Sequence, residues 1–191
     1  MRLKEAINKR KSIRCFENKK IPKSMIKDAV KAPSSGNRQP WIFYCVDSKK
    51  TRDKVSELLR ETLKLLKNQM KLQSKKIQKI TKEFYSDLGG AQNIIFIYRK
   101  KIKNEAVYAK PSDIKSISCA AENLMLSAVN MGLGTCWVGS FNGKPEKKLN
   151  KILKTKNNEE LVASIIIGYP KKEYQPLKRK KKQLKEVLKF R

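Results

Sequence analysis

Apolar residues recur along this chain in two periods, one helical and one strand-like. Leu3, Ala6 and Ile7 fall at helical spacing and predict a short opening helix that ends near residues 10–14. Ile21 and Pro22 begin a second helix, with Met25, Ile26, Ala29 and Val30 as its apolar face. Pro22 sits in a first-turn position, where its missing amide costs nothing. Pro33 stops the helix, because a residue before proline disfavours the helical region. Residues 41–46, Trp-Ile-Phe-Tyr-Cys-Val, predict a buried strand. Asp47 or Ser48 suits the cap of the next helix, in which Val55, Leu58, Leu59, Leu63 and Leu66 hold the helical period. Lysine-rich sequence continues to about Lys82, with Phe84 and Tyr85 at the far end. Residues 52–88 thus predict one long helix or two shorter ones: an exposed arm, a hairpin gripping a partner, or a lid.

Gly89-Gly90 breaks that pattern. Residues 93–98, nearly all β-branched or aromatic, predict a central strand. A loop over 100–110 leads to the best helix of the chain, 111–131, with Ser112 or Asp113 as its cap and Gly132 just past its end. Ile117, Ala120, Ala121, Leu124, Met125 and Ala128 give it many small side chains, suited to close contact in the core or with a second subunit. Residues 132–139 read as a tight turn into a short strand. Pro145 opens a helix through Leu149, Ile152 and Leu153, and residues 161–167 form a third good strand. The tail is basic over 178–182, and then Leu184, Val187, Leu188 and Phe190 argue that it docks. With no repeat or linker, the 191 residues read as a single domain.

Charge narrows the partners. Lys and Arg total 46 against 17 Asp and Glu, a formal charge of +29 that attracts anions. The lysines are scattered over most helical segments, whereas a nucleic-acid face concentrates them beside aromatics. No specific nucleic acid is expected. The chain has no histidine, which removes Ser-His-Asp and Cys-His catalysis and His-ligated metals. Cys15, Cys45, Cys119 and Cys136 are far apart, so neither a zinc site nor a disulfide scaffold is expected. Buried thiols in a reducing cytoplasm suit them better. The first 14 residues lack the apolar core of a signal peptide, and no apolar run reaches transmembrane length.

Three stretches carry candidate chemistry. Arg10, Lys11, Ser12 and Arg14 suit a basic helix end or a phosphate clamp, since guanidinium groups bind phosphate bidentately. Residues 32–41 place Ser34, Ser35, Asn37, Arg38 and Gln39 between prolines, with Gly36 permitting close backbone approach. That loop suits a helix-to-strand connection or the wall of a polar ligand site. Residues 132–139 are glycine-rich but carry neither a dinucleotide fingerprint nor a Walker pattern.

The order of these stretches, Arg10-Lys11-Ser12-Ile13-Arg14, then Pro33-Ser34-Ser35-Gly36-Asn37-x-Gln39-Pro40-Trp41, then Gly132-Leu133-Gly134-x-x-Trp137-x-Gly139, then Ile167-Gly168-Tyr169-Pro170 and a basic C-terminal cluster, resembles the nitroreductase family of flavin enzymes. The resemblance implies an α+β three-layer sandwich, a mixed and mostly antiparallel sheet with helices on both faces. It implies an obligate homodimer with two FMN molecules at the interface. By position, Arg10, Lys11, Ser12 and Arg14 contact FMN from one subunit, and Pro33, Ser34, Ser35, Asn37 and Gln39 from the other. Arg179 and Lys181 match the family's C-terminal cations near the phosphate. A backbone amide in 135–139, about Cys136, Trp137 and Gly139, is the candidate donor to flavin N5. Arg14 suits the pyrimidine end, where charge develops on reduction. The implied activity moves a hydride from NADH or NADPH through the flavin to a nitroaromatic, quinone or similar small acceptor, with no protein nucleophile or general base. Dehalogenation or flavin destruction on the same fold, a flavin sensor, and a basic nucleic-acid-binding protein are the rival readings.

Overall fold

Ile95 and Phe96 are neighbours on one strand and face opposite ways, and that alternation divides the core in two. Ile94, Phe96 and Tyr98 pack with Val55, Leu59, Phe84 and Leu149. Ile95 and Ile97 pack with Ile117, Ala121 and Leu124. The computed structural model describes residues 1–22, 24, 26–177 and 180–190. Its strands are β1 (Trp41–Val46), β2 (Asn93–Lys100), β3 (Gly134–Trp137) and β4 (Glu159–Gly168). They form one sheet in the order β1-β2-β4-β3. Every ladder is antiparallel, with Trp41 opposite Arg99, Asn93 opposite Ile167 and Cys136 opposite Ile166. The parallel component of the expected mixed sheet is reduced, among the described residues, to an isolated bridge between Ser12 and Thr135. Strand β2 is apolar on both sides because helices cover both of its faces.

The helices are α1 (Leu3–Lys9), α2 (Ile26–Ala29), α3 (Lys49–Leu65), α4 (Lys67–Lys71), α5 (Lys75–Asp87), α6 (Ala109–Asn130), α7 (Lys144–Leu153) and α8 (Leu184–Val187). Helices α3, α5 and α7 cover one face of the sheet, and α6 with α1 and α2 covers the other. The architecture is therefore the expected α+β sandwich with helices on both faces.

Four local expectations change. Helix α2 is described over Ile26–Ala29 and Pro22 is not part of it, while Met25 lies outside the described residues. The stretch 52–88 becomes three helices, with Ser48 capping α3 at Thr51 and Ser74 capping α5 at Ile77. Its root is core, since Val55, Leu58, Leu59, Phe84 and Tyr85 are buried, and only a tip around Leu65 and Leu72 stands out in solvent. Helix α6 begins at Ala109, and neither Ser112 nor Asp113 caps it. Asp113 is drawn instead into a buried ion pair, which outweighs a cap. The apolar residues of the tail, Leu184, Val187, Leu188 and Phe190, are exposed and do not dock on their own chain. The end of α6 is as expected: Gly132, at φ +74°, and Leu133 donate their amides to the carbonyls of Val129 and Ala128, the double closure of a Schellman motif.

Candidate functional site

The segment after α1 runs extended beside edge strand β3. Ile13 donates its amide to the Thr135 carbonyl at 2.9 Å, and Phe16 donates to the Gly89 carbonyl at 2.7 Å. Two glycines permit this approach. A Cβ on Gly134 would lie 2.6 Å from Ile13 Cγ1, and one on Gly89 would lie 2.2 Å from the Arg14 carbonyl oxygen.

That placement puts Arg10, Lys11, Ser12 and Arg14 along an open cleft of about 820 Å³, with Ile7, Glu122, Pro176, Leu177 and Lys181 among the other lining residues. Four cations thus face the single carboxylate of Glu122, which pairs with Arg10 at 3.6 Å. Arg14 also borders a second hollow of about 150 Å³, lined by Thr81, Phe84, Tyr85, Cys136, Trp137, Val138 and Gly139. Trp137 is 39% exposed there, while Cys136 is buried. Burial pushes the Cys136 thiol up, and Arg14 opposes that shift. Burial also raises the Tyr85 phenol, which is hydrogen-bonded to Ser140. Val138 donates its amide to the Ser164 carbonyl at 2.8 Å. Alternation along an antiparallel ladder then turns the Trp137 amide away from β4. Thr135 faces the same way; its carbonyl takes the Ile13 amide, and its buried hydroxyl has no partner among the described residues.

The loop at 33–39 stands apart from both hollows. Ser35–Asn37 form a 3-10 turn, with Gly36, Asn37 and Gln39 at φ +56°, +52° and +46°. Pro33, Ser35, Asn37 and Gln39 are exposed and Ser34 is half-buried. The loop rests on α6: the Ser35 amide donates to Ser116 Oγ at 3.2 Å, and Arg38 reaches Asp113 at 2.5 Å and the Ala109 carbonyl at 3.0 Å. The expected site residues therefore fall into two groups. Arg10, Lys11, Ser12, Arg14, Lys181, Cys136, Trp137 and Gly139 border two hollows that share Arg14, and Pro33, Ser34, Ser35, Asn37 and Gln39 do not join them. Arg179 lies outside the described residues. Sequence reasoning missed Glu122, Pro176 and Leu177 in the cleft and Thr81 in the hollow, none of which carries a local signal.

A sandwich whose edge strand borders a cation-lined cleft is a scaffold for an anionic ligand. The chain belongs to the nitroreductase family, a family of oxidoreductases, whose model matches residues 7–169. It is 25% identical over 181 residues to iodotyrosine deiodinase 1 of Sus scrofa, covering 88% of this chain and 61% of that protein. The chain thus spans about three-fifths of that relative's length. A solved nitroreductase family protein from Clostridium novyi NT is 26% identical, with a TM-score of 0.70 over 90% of this chain and 87% of the other. An FMN and NADPH-dependent nitroreductase from Sphigopyxis sp. strain HMH superposes with a TM-score of 0.78 over 100% and 99% of the two chains; at 17% identity it shares the fold. Among the described residues, no helix is long and apolar enough to cross a membrane, and no cluster of acidic or thiol side chains is set to hold a metal.

Proposed function

We propose that this chain is an FMN-dependent NAD(P)H oxidoreductase that works as a homodimer. The observation that carries the reading is the cleft in which Arg10, Lys11, Arg14 and Lys181 face one carboxylate. The residues present fit the cofactor. Its phosphate needs cations, its ring needs an apolar wall, and Ile7, Pro176, Leu177 and the half-exposed Trp137 supply one. The outward Trp137 amide adds a polar group at the edge of the sheet.

When bound, FMN would supply the redox chemistry, hydride transfer between NADH or NADPH and a nitroaromatic, quinone or similar acceptor. The chain's own residues bind and orient. Arg10, Lys11 and Lys181 hold the phosphate, and Arg179 joins them by its position in the sequence. Arg14 sets a fixed positive charge beside the ring and favours negative charge developing there. Phe84, Tyr85 and Trp137 offer aromatic surface to the hollow beside Arg14, where an acceptor would stack. Ser35, Asn37 and Gln39 are exposed and Ser34 is half-buried, and none lines the cleft of their own chain, which supports their serving the cofactor of a second copy. The +29 charge draws anionic nicotinamide nucleotides, more strongly at low salt.

The deiodinase relative favours a second reading on the same fold, reductive loss of halide from an aromatic ring. A visible spectrum of the purified protein with FMN, before and after NADH or NADPH, tests the first. A yellow protein that bleaches with a nicotinamide and reoxidises with a nitroaromatic or quinone supports it. A protein that takes up no FMN, or is monomeric at micromolar concentration, overturns it. Halide release from an iodinated phenol without nitroaromatic turnover selects the second.

A further inference from the structure

Arg38 occupies the variable position of the Pro-Ser-Ser-Gly-Asn-x-Gln-Pro-Trp stretch, and its side chain turns inward where its neighbours turn out. Its Nη2 donates to Asp113 Oδ1 at 2.5 Å and to the Ala109 carbonyl at 3.0 Å. The other oxygen of Asp113 accepts from Arg99 Nη2 at 3.3 Å. Arg99 is 1% exposed and also binds Glu105 and Glu160, and Glu160 holds Lys110 at 2.5 Å. One buried carboxylate therefore links the loop to strand β2 and to the first turn of α6.

Such a network is a poor source of stability. Desolvating charges costs several kcal/mol per ion, and apolar side chains of similar volume stabilise a core as well. It does fix geometry, because one guanidinium nitrogen that bonds both a carboxylate and a backbone carbonyl leaves its side chain little freedom. The backbone it holds needs fixing: Gly36, Asn37 and Gln39 all sit in the left-handed region, which L side chains resist. Beyond its own turn bonds, Asn37 to Ser34, Arg38 to Ser35 and Gln39 to Ser34 and Asn37, the loop is tied to the rest of the chain by the Ser35 amide at Ser116 and by the Lys100 amide at the Pro40 carbonyl.

We infer that Arg38, through Asp113 and Arg99, is a positioning residue that presets the Ser34–Gln39 surface for the cofactor. The inference rests on the flavin reading above and goes beyond it, since Arg38 is spent on Asp113 and the Ala109 carbonyl rather than turned outward with its neighbours. Arg38 is separable from the fold: in its absence Asp113 remains paired with Arg99.

The experiment uses the purified protein with Arg38→Ala and Arg38→Lys. Amide hydrogen exchange over residues 34–41, before and after FMN addition, reads the loop, and quenching of FMN fluorescence reads affinity. Arg38→Ala is expected to exchange faster over 34–41 than wild type, with β2 unchanged, and to bind FMN about tenfold more weakly, the factor for a competent loop populated about one-tenth of the time. Arg38→Lys keeps the charge and can donate to both acceptors, but its stem is shorter and it lacks the rigid planar fork, so it recovers part of both losses and carries the test if Arg38→Ala fails to fold. Wild-type uptake of FMN with both variants matching it in exchange and affinity overturns the inference and leaves the flavin reading intact. A wild-type protein that binds no FMN overturns both.

Discussion

The amide of Ile13 donates to the carbonyl of Thr135 at 2.9 Å, and this bond lays the cationic segment against the edge of the sheet. Everything proposed for the cleft depends on that registration, because Arg10, Lys11, Ser12 and Arg14 enter the cleft from one extended strip.

Two glycines guard the strip, and they are expected to differ in severity. Gly134→Ala sets a methyl 2.6 Å from Ile13 Cγ1 and 2.8 Å from its Cβ, so the strip itself must draw back, but Gly134 has an ordinary backbone conformation. Overpacking of this kind costs about 1–3 kcal/mol. Gly89→Ala sets a methyl 2.2 Å from the Arg14 carbonyl oxygen, which is backbone, at a φ of +65°. Urea denaturation should show a measurable loss for Gly134→Ala and a larger one, or no soluble protein, for Gly89→Ala.

Arg10 tests the phosphate assignment without threatening the fold. Its pair with Glu122 is partly exposed on both sides, and such pairs add little stability. A hydrogen bond to a charged group is worth about 1.5–3 kcal/mol, so Arg10→Ala should weaken FMN binding about tenfold or more. The salt dependence of binding should flatten with it. Equal FMN affinity in wild type and variant would remove Arg10 from the site.

Acid stability should depend on the partners of Arg99. The Arg99 guanidinium holds the Glu105 carboxyl below the usual carboxylate range. Burial works to raise Glu160, but Lys110 and Arg99 overcome it and its carboxyl is also lowered. A carboxyl held low in the folded chain is still ionised at a pH where the unfolded chain has taken up its proton. Its stabilisation is present above about pH 4.5 and is lost as the pH falls toward the folded value. Melting temperatures from about pH 6 to pH 3 should fall less steeply for Glu105→Gln than for wild type. Arg99→Met removes the shared cation and leaves Asp113 buried with one partner fewer, a loss of about 3–5 kcal/mol by urea denaturation.

Cys136 should be inert where Cys119 is not. Burial raises the Cys136 thiol and removes it from solvent, while Cys119 is exposed on α6. Iodoacetamide near pH 8 should label Cys119 in the native protein and Cys136 only after denaturation. Mass spectrometry of the tryptic peptides distinguishes the two.

Much of this architecture is written in local periodicity. Alternation and β-branching marked Trp41–Val46 and the core of β2 and β4, and the small apolar stripe with Gly132 marked α6 and its end. These signals are legible because a helix or strand faces the core with a period that the residues themselves carry. The clusters at 10–14 and 33–39 were legible as candidate ligand groups for a related reason: charged and turn-forming residues are conspicuous between apolar runs. The order β1-β2-β4-β3, the bridge from Ser12 to Thr135, and the place of Glu122, Pro176 and Leu177 in the cleft came only with the tertiary structure. Asp113 shows why. From its neighbours it suits a helix cap, and only the arrival of Arg99 from β2 and Arg38 from the loop, 14 and 75 positions away, turns it into a buried carboxylate between two cations. Pairings at that separation depend on which chain segments the fold brings together, and no local pattern of residues encodes them.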